Sequence, residues 1–211
     1  MDNLNTAIIL AGGKSSRMGF DKQFLVINEK RLILDIAKKL KKHFKEIIIV
    51  TNKKEYYKDL GYKVVEDEIK GMGPLAGISV GLKNSSSLYA YIIACDMPVL
   101  DDNYIKYIKA MVNKDIKDKK ESHIYISILN DKIQLFHGAY KKKLGYEMKD
   151  YILNSNRKSI ISFYERNNKN VYYVKEDEFK NNKFNENMFT NLNTREELDS
   201  YKKEIYNYGC G

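Results

Sequence analysis

The chain has 211 residues, about one domain's worth, and its 43% hydrophobic and 31% charged residues are typical of a globular protein. The longest unbroken apolar run, from Tyr89 to Cys95, is far shorter than the roughly 18 residues of a membrane span, so no membrane is expected among its partners. The net charge of +9 permits nucleic acid, a membrane surface or an anionic small substrate as a partner, but the cations are spread over both halves, which argues against a separate nucleic-acid arm. The start of the chain lacks a secretory pattern, and only Cys95 and Cys210 could form a bridge, so we expect a cytoplasmic, reducing compartment.

Short apolar runs bounded by polar residues or glycines predict buried strands. They occupy residues 7–11, 47–50, 63–65, 90–94 and 124–128. Between them, segments near 32–40, 75–82 and 104–111 have apolar residues at helical spacing. This alternation predicts an α/β fold, a doubly wound and mostly parallel sheet in a single domain, with ligands beyond the carboxyl ends of the strands.

The second half predicts further local structure. A hairpin is expected around Asn130-Asp131-Lys132, helices near 141–153 and 159–166, and a strand at 171–174. Thr194 and Glu197 have the spacing of a capping box that begins a last helix. We interpret His137 as a sheet residue rather than a catalytic one.

A loop rich in glycine and cations follows the first predicted strand, at residues 12–22. Glycines allow backbone N–H groups to point at an anion, and Lys14, Arg17 and Lys22 can add charge-assisted hydrogen bonds. The loop is neither a Walker A motif nor a G-x-G-x-x-G fingerprint, which would need glycine at Ile8 or at Lys14. We therefore predict a phosphate-binding loop of another kind; the alternative is an ordinary glycine-rich turn.

Asp96 lies two residues after the end of the apolar strand 90–94 and two residues before Pro98. One carboxylate is enough to hold Mg²⁺ when a nucleotide supplies phosphate oxygens, so Asp96 is a candidate metal ligand. The alternative is a helix N-cap, a role that Asp101 or Asp102 fits better. Cys95 is interpreted as a small buried hydrophobic residue.

A third motif covers residues 66–77, where carboxylates end a strand and a glycine loop leads into a helix opened by Pro74. Asp67 could accept hydrogen bonds from the amide and amine of guanine, and glycines would let a planar base approach the backbone. Taken alone, the pattern fits an acidic turn equally well.

Together these motifs resemble those of the molybdenum cofactor guanylyltransferases of the MobA type, in order and in spacing. The matching residues are Leu10-Ala11-Gly12-Gly13, Ser15, Arg17-Met18-Gly19, Asp21-Lys22, Glu66-Asp67, Gly73-Pro74-Leu75-Ala76-Gly77, Cys95-Asp96-Met97-Pro98, Asn156-Arg157-Lys158-Ser159-Ile160 and Asn191-Leu192-Asn193-Thr194-Arg195-Glu196-Glu197-Leu198. Two departures stand out: the chain lacks the proline that usually precedes the Leu135-Phe136 pair, and Arg195 stands where the family usually has proline.

The resemblance implies a reaction in which the terminal phosphate of molybdopterin, or of Mo-molybdopterin, attacks the α-phosphorus of GTP and pyrophosphate leaves. It implies that nucleotide-binding residues lie at about 1–110 and acceptor-binding residues at about 111–211. Molybdoenzyme maturation proteins are further implied partners. The implied roles are triphosphate binding by Gly12, Gly13 and Lys22, guanosine binding by Leu10, Ala11 and Asp67, Mg²⁺ binding by Asp96, acceptor binding by Arg17, Arg157, Asn191 and Asn193, and catalysis by Lys22, Asp96 and Arg17.

Three alternatives stay open at this point. The first is a nucleotidyltransferase of the same fold with another substrate, such as a molybdopterin cytidylyltransferase, although cytidylyl relatives tend to have Ala-Ala-Gly where this chain has Ala11-Gly12-Gly13. The second is a catalytically inactive regulator of the same fold. The third is an RNA- or DNA-binding module, for which the chain offers neither an aromatic RNA-binding signature nor zinc-ligand spacing.

Overall fold

The computed structural model describes residues 3–11, 24–27, 30–58, 60–66, 69, 72–120, 122–155, 159–167 and 170–208. Its strands are β1 Thr6–Leu10, β2 Val26–Ile27, β3 Lys30–Arg31, β4 Glu46–Val50, β5 Lys63–Val65, β6 Tyr89–Ala94, β7 Ile124–Leu129, β8 Lys132–Lys141 and β9 Val171–Val174. Its helices are α1 Leu32–Leu40, α2 Pro74–Asn84, α3 Asp102–Lys117, α4 Leu144–Asn154, α5 Ile160–Asn167, α6 Glu176–Asn182 and α7 Arg195–Tyr208. Short 3₁₀ turns lie at Lys54–Tyr57 and Glu186–Phe189. The predicted strands and helices are confirmed, with their ends shifted by a few residues.

The described strands form a seven-stranded sheet in the order β5-β4-β1-β6-β8-β7-β9, and β2 and β3 pair separately. Strand β1 lies between β4 and β6 and runs parallel to both. Among these seven strands β8 alone is antiparallel to its neighbours, β6 and β7. The predicted α/β fold with a mostly parallel, doubly wound sheet is therefore confirmed.

Side chains that alternate along the strands fill two apolar layers, one on each face of the sheet. In β1, Ile9 packs into a layer with α1, α3, α6 and α7, whereas Ile8 packs into a layer with α2, α4 and α5. Burial on both faces explains why the parallel strands are continuous apolar runs in the sequence. Within the described ranges, no helix has both the length and the apolar character needed to cross a membrane.

Strand β8 has an irregular backbone. It is continuous over Lys132–Lys141, but its pairing with β7 shifts register between Tyr125 and Ser127, and His137 has a positive φ of 54°. The turn before it, Asn130-Asp131, has positive φ at both residues, as a two-residue type I′ hairpin requires. The predicted hairpin is confirmed, and the extra twist lies inside the following strand.

Helices α2 and α4 pack closely because Gly145 has no side chain at their crossing. Ser79 Oγ in α2 donates a hydrogen bond of 2.6 Å to the carbonyl oxygen of Gly145. A Cβ atom on Gly145 would lie 2.8 Å from the carbonyl oxygen of Ser79 and 2.9 Å from Leu82 Cβ. The crossing therefore admits only glycine at this position.

Candidate active site

The carboxyl ends of β1, β4 and β6 meet at one edge of the sheet. Ala11 N donates to Val50 O at 2.8 Å, and Cys95 N donates to Leu10 O at 3.0 Å, so the end of β1 is bonded to the ends of both neighbouring strands. The side chains of Leu10 and Ala11 are buried at this edge. This is the edge at which ligands of doubly wound sheets bind.

Asp96 lies in the turn that follows β6, directly beside the end of β1. Its side chain is nearly enclosed, since the residue is 9% exposed, while Met97 N closes the turn by donating to Ala94 O at 3.2 Å. Cys95 is buried, which confirms that it behaves as a small hydrophobic residue. The chain therefore places a carboxylate at the carboxyl edge, as predicted for Asp96.

Residues 185–193, which precede α7, reach this edge, and we call them the strap. Leu192 N donates to the backbone oxygen of Asp96 at 2.9 Å, and the Leu192 side chain is buried. Asn191 and Asn193 flank Leu192 and are half-buried. The structure thus brings both predicted acceptor-binding asparagines next to the turn of Asp96.

The strap continues directly into α7 through the predicted capping box. Glu197 N donates to Thr194 Oγ1 at 3.1 Å, and Glu197 Oε2 accepts Thr194 N at 2.9 Å. The same oxygen also accepts Asn193 N at 2.6 Å. The capping box is confirmed, and it orients the backbone of Asn193 in addition to beginning the helix.

The strap packs through Phe189 against the rings of Tyr104, His137 and Phe179, which we call the aromatic floor. The ring of Phe189 lies 5.7 Å from that of His137, 5.6 Å from that of Phe179 and 6.3 Å from that of Tyr104, measured between centroids. His137 Nδ1 and the hydroxyl of Tyr91 are 3.0 Å apart, and burial lowers the pKa of His137 to about 3. A histidine that stays neutral at physiological pH and packs in the core fits the predicted role of a sheet residue rather than a general base.

Asp101, and not Asp102, is the N-cap of α3. Its Oδ1 accepts the N–H groups of Asn103 at 2.8 Å and of Tyr104 at 2.9 Å. Asp102 instead lies 2.8 Å from His43 Nε2, and hydrogen bonding to His43 lowers the pKa of Asp102. Asp96 is thus not the N-cap of α3.

Sequence analysis missed the loop after β4, which borders the same edge. Thr51 N donates to Val65 O at 3.0 Å and Thr51 Oγ1 accepts Lys53 N at 3.0 Å, so the exposed Asn52 lies at the tip of this turn. The signal was present, since polar residues follow the apolar run 47–50 directly. Lys53 Nζ also lies 5.0 Å from the ring of Phe24, a cation–π contact at the start of the described residues 24–27.

Several predicted site residues lie outside the described residues, namely Gly12, Gly13, Arg17, Lys22, Asp67 and Arg157. Asp67 falls between the end of β5 at Val65 and the start of α2 at Pro74, and Arg157 precedes α5, which begins at Ile160. The segment between β5 and α2 therefore begins at the edge of the sheet where β1 and β4 end. The roles of these six residues stay predictions.

The family model of the MobA-like NTP transferase domain matches residues 7–169 of the sequence. The chain belongs to this family. It is similar to the probable molybdenum cofactor guanylyltransferase of Peptoclostridium acidaminophilum, with 42% identity over 94% of this chain and 88% of the relative. It is 36% identical to the molybdenum cofactor guanylyltransferase of Syntrophotalea carbinolica, over 94% and 91% of the two chains. The crystal structure of molybdopterin-guanine dinucleotide biosynthesis protein A from Archaeoglobus fulgidus has the same fold, with a TM-score of 0.76, 22% identity, and 96% and 99% coverage.

Proposed function

We propose that the protein transfers GMP from GTP to the terminal phosphate of molybdopterin and releases pyrophosphate. The observation that carries the proposal is the joint placement of Asp96 and of Asn191 and Asn193 at the edge where β1 ends. Membership of the MobA-like family and the guanylyltransferase names of two close relatives support the choice of substrates.

The reaction needs an anionic oxygen to approach the α-phosphorus in line with the leaving group. A phosphate oxygen of the acceptor forms the new bond to the α-phosphorus, the bond from that phosphorus to the bridging oxygen breaks, and pyrophosphate departs with the electron pair. The protein therefore needs no side-chain nucleophile, and its task is to orient both substrates and to stabilise charge. In this proposal Gly12, Gly13 and Lys22 hold the triphosphate, and Arg17, Arg157 and the strap asparagines hold the acceptor.

Asp96 fits a magnesium ion. Within the described part of the chain, no group of three or more His, Cys, Asp or Glu residues could form a metal cage. Mg²⁺ is commonly bound by one or two carboxylates together with substrate phosphates and water, and the nearly enclosed Asp96 offers one carboxylate at the right edge. When bound, Mg²⁺ would neutralise charge on the phosphates.

Direct detection of the product tests the proposed function. Incubation of the protein with Mg²⁺, GTP labelled at the α-phosphate and Mo-molybdopterin is expected to move the label into a guanine dinucleotide, with equimolar pyrophosphate. Replacing GTP by CTP in a parallel reaction distinguishes the cytidylyltransferase alternative. Label that stays in GTP under these conditions would contradict the proposal.

GTP is expected to bind more tightly than CTP and ATP, on the basis of Gly12-Gly13, Asp67 and residues 73–77. A site that hydrogen-bonds guanine leaves buried polar groups unpaired when another base enters, which costs roughly 1–3 kcal/mol per group, or about 5- to 150-fold in affinity. Isothermal titration with each nucleotide in the presence of Mg²⁺ measures the preference. Equal affinities for GTP and CTP would favour the cytidylyl alternative.

Lys22 and Arg157 are expected to serve different substrates. Lys22→Ala should lower kcat together with GTP affinity, because a lysine at the end of the glycine loop acts on charge that develops during attack. Arg157→Ala should mainly raise the KM of the acceptor, because an anchoring arginine contributes equally to the ground and transition states. GTP titrations and acceptor KM values for both variants provide the comparison. If Arg157→Ala weakens GTP binding as much as Lys22→Ala does, the assignment of Arg157 to the acceptor is wrong.

A further inference from the structure

The carboxylate of Asp101 uses its two oxygens for two different purposes. Oδ1 accepts Asn103 N and Tyr104 N and thereby begins α3. Oδ2 accepts Asn185 N at 2.7 Å, a backbone group 84 positions further along the chain. Capping a helix needs only one acceptor oxygen, and Ser, Thr or Asn supply it as well as Asp does. The second oxygen therefore has a role that the start of α3 does not explain.

That second oxygen holds the first residue of the strap. At its other end, the strap is held by the bond from Leu192 N to the backbone oxygen of Asp96. Between these two contacts Met188 is fully buried in the same apolar cluster as Tyr104 and Phe179. One short stretch, from Asp96 to Asp101, thus fixes both ends of the segment that carries Asn191 and Asn193.

We propose that Asp101 is a positioning residue for the acceptor: through Asn185 it sets where the strap, and with it Asn191 and Asn193, lies relative to Asp96. The inference rests on the proposed function for the identity of the acceptor, a phosphorylated pterin. Asp101 touches neither substrate in this arrangement. Its contribution is to keep the backbone of the strap in one position, so that the two asparagines meet the acceptor without first being ordered.

The substitution Asp101→Asn distinguishes the roles of the two oxygens, the cap of α3 and the bond to Asn185. Asparagine keeps one acceptor oxygen for the cap of α3, but its amide then faces Asn185 N, which places a donor against a donor. Asp101→Ser provides a second variant with a good cap and no second acceptor. Loss of one charge-assisted hydrogen bond from the strap should raise the acceptor KM about 3- to 10-fold in both variants. The affinity for GTP should stay nearly unchanged, because the residues proposed to hold the triphosphate, Gly12, Gly13 and Lys22, do not belong to the strap.

Asp102→Asn is the matched control. It removes the same negative charge one residue away, but Asp102 bonds to His43 and has no hydrogen bond to the strap. The acceptor KM of this variant should equal that of the wild type. A second readout is hydrogen exchange at the Leu192 amide, measured on the full chain without substrates. Exchange there should become faster in Asp101→Asn and Asp101→Ser but not in Asp102→Asn.

The outcomes separate this inference from the proposed function. Wild-type acceptor KM and wild-type Leu192 exchange in both Asp101 variants would overturn the inference, and so would an equal rise of KM in Asp102→Asn, which would indicate a charge effect. A wild-type protein that transfers no GMP to Mo-molybdopterin would contradict the proposed function instead. In that case, the exchange at Leu192 still reports whether Asp101 holds the strap.

Discussion

Replacing Asp96 by Asn is expected to lower the rate of GMP transfer about 100-fold or more while the fold stays intact, by analogy with the loss of one group that stabilises the transition state. Asparagine has almost the same shape as aspartate, but it carries no charge with which to hold a magnesium ion against the phosphates. The contact of the strap with this residue uses the backbone oxygen of Asp96, so the substitution leaves that contact in place. The loss should therefore appear in catalysis and not in the position of the strap.

Steady-state rates at increasing Mg²⁺ concentration, together with thermal unfolding, check this expectation. Asp35→Asn is a suitable control, because it makes the same chemical change on α1, where Asp35 pairs with Lys39 at 2.8 Å. That surface pair contributes about 0.3–0.5 kcal/mol, so the control should keep its activity and nearly all its stability. An Asp96→Asn variant with more than half of the wild-type rate would remove Asp96 from the metal site.

Gly145→Ala is expected to destabilise the protein by about 2–3 kcal/mol, because the new methyl group overpacks the crossing of α2 and α4. The nearest atoms are the backbone oxygen of Ser79 at 2.8 Å, Leu82 Cβ at 2.9 Å and the backbone nitrogen of Lys83 at 3.0 Å. Because these atoms belong to the backbone of α2 or adjoin it, they cannot move away by a change of rotamer. The helices must separate, and the bond from Ser79 Oγ to Gly145 O would lengthen.

Thermal unfolding measures the effect, which corresponds to a fall of the midpoint by about 4–12 °C for a chain of this size. Gly77→Ala is the matched control within α2, since its nearest neighbour would be Leu10 Cδ2 at an ordinary 3.4 Å. There alanine should stabilise the helix by up to about 1 kcal/mol through its higher helix propensity. Unfolding midpoints that fall equally in the two variants would contradict the close crossing.

Local patterns in the sequence were sufficient for most elements of the fold. The run 7–11 was recognisable as a strand because parallel strands are buried on both faces, and the hairpin at Asn130-Asp131 because both residues tolerate positive φ. The capping box of Thr194 and Glu197 lies within one helical turn. Strands β2 and β3 were missed, since two residues each are too short to show a period.

Contacts between distant parts of the chain could not be predicted in this way. Nothing in the sequence around Asp101 indicates that its second oxygen accepts Asn185 N. Which of Asp101 and Asp102 caps α3 could be decided only once the first residue of that helix was known. The family resemblance implied that Asn191 and Asn193 bind the acceptor, but nothing in the sequence predicted that they lie beside the turn of Asp96. The antiparallel direction of β8 relative to β7 was predictable from the hairpin at Asn130-Asp131, but its pairing with β6 joins distant parts of the chain and was not.

The position of the strap also bears on the order in which the molecule folds. The parallel core of β1, β4, β5 and β6 is drawn from a contiguous stretch that ends at Ala94. The strap, in contrast, must close a loop of 84 positions before Asn185 meets Asp101. Because closure of a long loop costs entropy that only later contacts repay, the parallel core should form early and the contact between the strap and Asp101 last. During synthesis, the aromatic floor around Tyr104 and His137 therefore stays uncovered until the chain beyond Phe189 has emerged, an interval in which this apolar surface is open to association with other chains.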